Sequence, residues 1–164
     1  MTTHFSLAEV ESHRLCERHG IPIAENKIPV LKGPGIVIAT QQEWLLGCEL
    51  LEQARSKLGQ PITISCGYRA PKLNSLCGGA AGSQHQGCRR VRGAAGSIEI
   101  IQSVAFDLQT PQEADLLRLF EILLTLPHDQ LILEDRTRGK DWVHWSWNPY
   151  APNRGQNFIL NPTT

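Results

Sequence analysis

Breaking an amide bond at neutral pH takes an activated water, a base to receive its proton, and positive charge where the tetrahedral oxyanion forms. The sequence holds residue types for all three. A catalytic zinc takes three nitrogen or oxygen ligands and leaves a position for water, so two histidines and one aspartate suffice. Of the six histidines, His4, His13 and His19 lie in or beside the first helical segment, on no stripe shared with a carboxylate. His128 sits in a Pro-His-Asp turn, and these four read as surface residues. His85 follows a Gly-Gly-Ala-Ala-Gly-Ser-Gln loop, which suits close backbone approach and an accessible ring. His144 alternates with Val143, Trp145 and Trp147, and Asp107 with Val104, Phe106 and Leu108, so each points away from an apolar strand face. Taken singly, each of these histidines reads as a structural ring before it reads as a ligand.

The elements that must position them follow from capping and periodicity. Ser6 with Glu9, Thr40 with Glu43 and Thr110 with Glu113 each pair a hydroxyl N-cap with Glu three residues later. They predict helices over 7–18, stopping at Gly20 before Pro22, over 41–58, stopping at Gly59, and over 111–125, with Pro111 at its first position. The second buries Trp44, Cys48, Leu51, Ala54 and Leu58; the third buries Leu116, Leu117, Phe120, Leu123 and Leu124. Apolar runs at 62–66, 104–108, 130–134 and 142–147 predict strands. Without a regular βαβ rhythm, the order implies one α+β domain over 1–164, with a mainly antiparallel sheet and three flanking helices.

Composition narrows the function. Sixteen basic residues offset sixteen acidic ones, so no global field draws the chain to nucleic acid or anionic lipid. Arg89, Arg90 and Arg92 read as a solvated loop. No membrane span and no signal peptide is expected, which implies synthesis in the cytoplasm; the expected state is a monomer. Five cysteines, odd in number and without C-x-x-C spacing, suggest neither a disulfide framework nor a zinc knuckle. Cys66, Cys77 and Cys88 lie near the candidate residues and are set aside as ligands.

The segment Ser65-Cys66-Gly67-Tyr68-Arg69-Ala70-Pro71, continuing through Asn74, Gly78-Gly79 and Ser83-Gln84-His85, resembles the S-G-Y-R-S-P...N...G-G...S-x-H signature of the M15 peptidases. These are D-alanyl-D-alanine carboxypeptidases and L-alanyl-D-glutamate endopeptidases, many of them encoded by bacteriophages. Ser103 to Asp107 is similar to the family's G-x-A-x-D segment, and Trp142-Val143-His144-Trp145-Ser146 to its W-[IV]-H-x-S strand. The opening Phe5-Ser6-Leu7-Ala8-Glu9 with Gly20-Ile21-Pro22, and the tail Asn153-Arg154-Gly155-Gln156, also resemble phage-type members.

The resemblance implies a hedgehog-like, D-Ala-D-Ala-peptidase-like fold with a zinc cleft on the sheet, and His85, Asp107 and His144 as ligands of Zn2+. It implies Arg69 at the oxyanion or substrate carbonyl, and Ser83 and Tyr68 in the substrate cleft. The general base is Asp141, three residues before the last histidine, or Glu134, which ends the preceding run and reaches the same cleft if the two strands pair. The implied substrate is the peptidoglycan stem peptide, cut after lysis or from a phage particle. One departure stands out: twenty-one residues, Gln86 to Phe106, separate the first histidine from the aspartate where the family has six. The extra material, about 88–102, reads as an insertion that reshapes the cleft mouth or adds a lid; loop entropy grows only logarithmically, so the ligand geometry can survive it. A different class of reading is a cell-wall-peptide binding module that keeps the fold without turnover.

Overall fold

Apolar alternation in two neighbouring strands decides which side of the sheet the helices cover. The computed structural model describes residues 2–12, 14–31, 37–134 and 141–160. Its helices are α1 (Leu7–Glu11), α2 (Arg14–Arg18), α3 (Gln41–Leu58), α4 (Pro71–Leu76) and α5 (Asp115–Leu124). The strands are β1 (Thr63–Cys66), β2 (Cys88–Arg92), β3 (Ile98–Gln102), β4 (Val104–Gln109), β5 (Gln130–Glu134), β6 (Trp142–Trp147) and β7 (Gln156–Leu160). Five of them form a sheet in the order β1-β4-β6-β5-β7, and β2 and β3 form a separate hairpin. The α+β class holds, but the sheet is mixed, because β7 runs parallel to β5 while the other pairings are antiparallel.

Val104, Phe106, Leu108, Leu131, Val143 and Trp145 are buried on the face that carries α3 and α5. Phe106 stacks on Trp145 with ring centroids 5.8 Å apart and meets Trp44 of α3 edge-on at 5.2 Å. Each such side chain contributes roughly 1.5–3 kcal/mol on burial, so the apolar face takes the helices and the opposite face keeps Asp107 and His144.

Helix α3 forms as its sequence dictates. The Glu43 carboxylate accepts from Thr40 N at 2.7 Å and from Thr40 Oγ1 at 2.6 Å, and Gly59 closes the other end at φ 70°. The first helix is broken in two, because the Glu11 carbonyl accepts from Asn26 Nδ2 at 2.7 Å instead of continuing the helical ladder. The third starts at Asp115, not at residue 111; Thr110 Oγ1 donates to the carbonyl of Gln112 in place of a capping box. Its buried stripe is Leu116, Leu119, Phe120 and Leu123, with Leu117 and Leu124 exposed, since paired leucines leave the phase open until the sheet selects it. The arginine segment is strand β2 rather than a solvated loop. All five cysteines are free, and among the described residues no helix is long and apolar enough to cross a membrane.

Candidate metal centre

Strand register brings the first pair together. β4 and β6 are antiparallel with Asp107 opposite His144, and His144 Nδ1 lies 2.9 Å from Asp107 Oδ1. His85 arrives from a short 3-10 turn, Gln84–Gln86. Two backbone features aim it. At Gly67, where the chain leaves β1, a Cβ would stand 2.6 Å from the carbonyl oxygen of Val10, so only glycine allows that approach. The Gly67 carbonyl then accepts from His85 Nδ1 at 2.7 Å. Arg69 N donates to the His85 carbonyl at 2.8 Å, and Gly87, at φ +79°, turns the chain into β2. The result places His85 Nε2 3.2 Å from the same Asp107 Oδ1.

The donor chemistry fits a divalent metal. A carbonyl can only accept, so Nδ1 of His85 carries the proton and Nε2 presents a lone pair to a carboxylate oxygen. That arrangement is repulsive unless a cation or a proton lies between. Burial pushes the His85 imidazole below its ordinary value, outweighing the attraction of Asp107, which disfavours the proton. Burial would raise the Asp107 carboxyl, but the charges and hydrogen bonds of His85 and His144 outweigh it and hold the group ionised well below the usual carboxylate range. Two ligands of a tetrahedral ion with bonds of ~2.1 Å stand about 3.4 Å apart; the two spacings here, 3.2 and 2.9 Å, are close to that.

Cys66 is the one further donor at this point. Its sulfur, with His85 and Asp107, forms a group whose ligand atoms all lie within 4.8 Å of one another. The thiol approaches Nδ1 of His85 at 3.7 Å, on the ring edge already committed to Gly67, whereas Asp107 faces Nε2. Burial, reinforced by the Asp107 charge, pushes the thiol well above its ordinary value. His144 reaches the same Asp107 oxygen from the other side, and its ring centroid lies 5.2 Å from that of His85, but it is not part of this close group.

His85, Asp107 and His144 border a cavity of about 640 Å³ that Arg69, Ser83 and Glu134 also line. Arg69 Nη2 donates to Ser83 Oγ at 2.9 Å, which fixes the guanidinium on the cavity wall. Glu134 pairs with Trp142 at the end of the β5–β6 ladder, on the same face as Ile132 and His144. Asp141, one residue ahead of β6, lines a neighbouring cavity of about 600 Å³ with Ser65, Gln109 and Glu113, while Gln109 Nε2 donates to its carbonyl at 3.3 Å. Its companion in the sequence, Lys140, lies outside the described residues, as does His13. Tyr68 is placed elsewhere: it is buried in the core, with its ring edge-on to Trp44 at 6.0 Å.

A polar network beside the centre has no clear signal in the sequence. Asp129 is fully buried and accepts from Arg154 N and Nε at 3.0 Å each, from Arg154 Nη2 at 2.5 Å, from Asn148 Nδ2 at 2.8 Å and from Gln84 Nε2 at 3.0 Å. Arg89 Nη1 lies 3.2 Å away. Gln84, next to His85, also donates to Ser103 Oγ and accepts from Ser146 Oγ. The network ties the His85 turn, the hairpin, β5, β6 and the tail into one frame. Arg89 is thus an ion-pair partner rather than a solvated charge, and the 88–102 segment forms the β2–β3 hairpin.

His85, Asp107, His144 and Arg69 line one cavity. The chain belongs to the peptidase M15 family: that family's sequence model, described as Peptidase M15, matches residues 3–146. Family membership implies a peptidase. No curated protein matches the chain.

Proposed function

We propose that the protein is a zinc peptidase that hydrolyses D-amino-acid-containing peptide bonds of bacterial peptidoglycan, in the manner of an endolysin or a D,D-carboxypeptidase, with His85 Nε2, Asp107 Oδ1 and His144 Nδ1 holding the metal. The observation that carries the reading is the shared Asp107 oxygen, 3.2 Å from one histidine nitrogen and 2.9 Å from the other, with the far nitrogen of His85 fixed by a backbone carbonyl. That backbone partner sets tautomer and ring direction, as outer-shell partners of metal-binding histidines do. The proposed fold type is that of the hedgehog and D-Ala-D-Ala-peptidase group, and the proposed setting is cell lysis or a phage particle, both on the motif resemblance.

Bound there, zinc would supply a Lewis acid and lower the pKa of an attacking water. The chain's own residues supply the rest. Arg69, fixed through its backbone to His85 and through its guanidinium to Ser83, takes the substrate carbonyl and offsets charge as the oxyanion develops. A carboxylate from the β5–β6 pair receives the proton and returns it to the leaving amine. Asp141 is proposed from its place three residues before His144, and Glu134 is supported by its position on the same cavity as the ligands.

Mass spectrometry of purified peptidoglycan after incubation tests the reading. The expected result is new stem-peptide fragments that vanish with chelator and return with zinc, and the fragment masses identify the bond. Retention on the wall without new products would instead indicate a binding module.

A further inference from the structure

Gln84 opens the short turn that delivers His85, and its side chain is buried. Its carboxamide is committed at both ends. Nε2 donates to Ser103 Oγ at 2.7 Å and to Asp129 Oδ2 at 3.0 Å, and Oε1 accepts from Ser146 Oγ at 3.0 Å. Asp129 decides which way the amide points. Arg89 and Arg154 both pair with that carboxylate, and a carboxylate can only accept, so the NH2 end faces it and the oxygen faces Ser146. The partners belong to the segments of the other two proposed ligands. Ser103 stands immediately ahead of β4, the strand of Asp107, and its backbone N donates at 3.2 Å to the carbonyl of Gly87, where the His85 turn ends. Ser146 lies on β6 two residues beyond His144, on the same face of the strand. One buried side chain therefore bonds to the segments of Asp107 and His144, while its own backbone carries His85.

We propose that Gln84 is a positioning residue for the metal centre: its amide sets the spacing of the three ligand-bearing segments, and with it the affinity and geometry of metal binding. Apolar packing tolerates small shifts of a turn across a sheet, whereas three directional bonds in a buried setting admit one placement. The partners do not depend on the amide for their own satisfaction. Ser103 Oγ also donates to the Trp147 carbonyl at 3.3 Å, Ser146 Oγ to the Gln130 carbonyl at 3.4 Å, and Asp129 keeps its bonds from Arg154 and Asn148. Removing the amide thus unties the segments from one another while each retains a partner, which separates positioning from folding. The inference rests on the zinc reading of the site.

The test uses the full chain, stripped with chelator, as wild type, Gln84→Met, Ser103→Ala, Ser146→Ala and Leu51→Ala. Methionine keeps the length of glutamine without its bonds, and Leu51, fully buried in α3 on the opposite face of the sheet, controls for lost stability. Calorimetric titration with zinc gives the affinity, and visible absorption of the cobalt(II)-loaded protein reports the ligand geometry. Gln84→Met should bind zinc about 10–100-fold more weakly than wild type, the range for outer partners of metal ligands, with its cobalt bands displaced. Each serine variant should show part of both effects, and Leu51→Ala should melt lower yet keep the wild-type affinity and spectrum. If Gln84→Met does not fold, the two serine variants decide. Wild-type affinity and spectrum in folded Gln84→Met, or in both serine variants where it does not fold, would overturn the positioning role. An equal loss of affinity in Leu51→Ala would overturn it too, by assigning the effect to stability. These outcomes leave the zinc reading standing; a wild type that binds no zinc overturns both.

Discussion

Replacing Asp129 with asparagine keeps the side chain's shape and removes its charge, at a position with no solvent exposure. The carboxylate accepts five hydrogen bonds, from Arg154, Asn148 and Gln84, and lies 3.2 Å from Arg89. An amide offers one accepting oxygen, and its NH2 group would face donors with nothing to accept. Removing one partner of a buried ion pair costs about 3–5 kcal/mol, because the remaining charges stay buried without compensation. For a domain of this length each kcal/mol lowers Tm by about 2–4 °C, so Asp129→Asn should melt roughly 6–20 °C below wild type at pH 7. The pH dependence has a definite sign. Burial would raise the Asp129 carboxyl, but the bonds from Arg154 and the charge of Arg89 outweigh it and hold the group below its ordinary value. Its stabilising contribution is present above the unfolded value of ~3.9 and is lost as pH falls through the lower folded value. Thermal melts by circular dichroism at pH 7, 5 and 3 should show a gap that is full at the first two and shrinks at the third. A gap under about 1 kcal/mol at pH 7, the size of an exposed ion pair, would refute the reasoning.

Three further outcomes follow. Trp145→Ala removes a fully buried ring stacked on Phe106 and should cost about 3–5 kcal/mol by chemical denaturation. Arg69→Ala should lower kcat about 10²–10³-fold, as loss of an oxyanion partner does, with zinc content unchanged and little recovery in Arg69→Lys, whose compact ammonium lacks the planar fork that reaches Ser83 and substrate from separate nitrogens. Of Glu134→Gln and Asp141→Asn, the variant that loses about 10²–10⁴-fold in turnover while retaining zinc marks the base; comparable small losses in both would remove the carboxylate step.

Local signals in the sequence were strong where one principle acted alone. Helix α3 was legible at both ends, because the Thr40–Glu43 cap, the stripe from Trp44 to Leu58 and Gly59 all agree. β5 and β6 were legible for the same reason, and the alternation in β4 and β6 placed Asp107 and His144 on the polar face. Tertiary competition hid the rest. Asn26 takes the Glu11 carbonyl and splits the first helix, and the paired leucines of α5 choose their phase only against the sheet. β7 is a five-residue run joined in parallel to β5 across the whole of β6, so no local pattern announces it. Near the cavity, the Gly67 carbonyl that sets the His85 tautomer was not legible, nor was Asp129, whose partners come from four separate segments. Tyr68 belongs to the same motif as Arg69 yet turns into the core.

Whether two imidazoles and one carboxylate hold a single zinc ion can be read by calorimetric titration of chelator-treated protein with zinc. One equivalent should bind to wild type. His85→Ala, Asp107→Ala and His144→Ala should each weaken binding by at least about 100-fold, since loss of even an outer partner costs 10–100-fold, and Cys66→Ser should bind as wild type does. Absence of stoichiometric zinc in wild type, or a His144→Ala variant that binds undiminished while Cys66→Ser does not, would contradict the assignment.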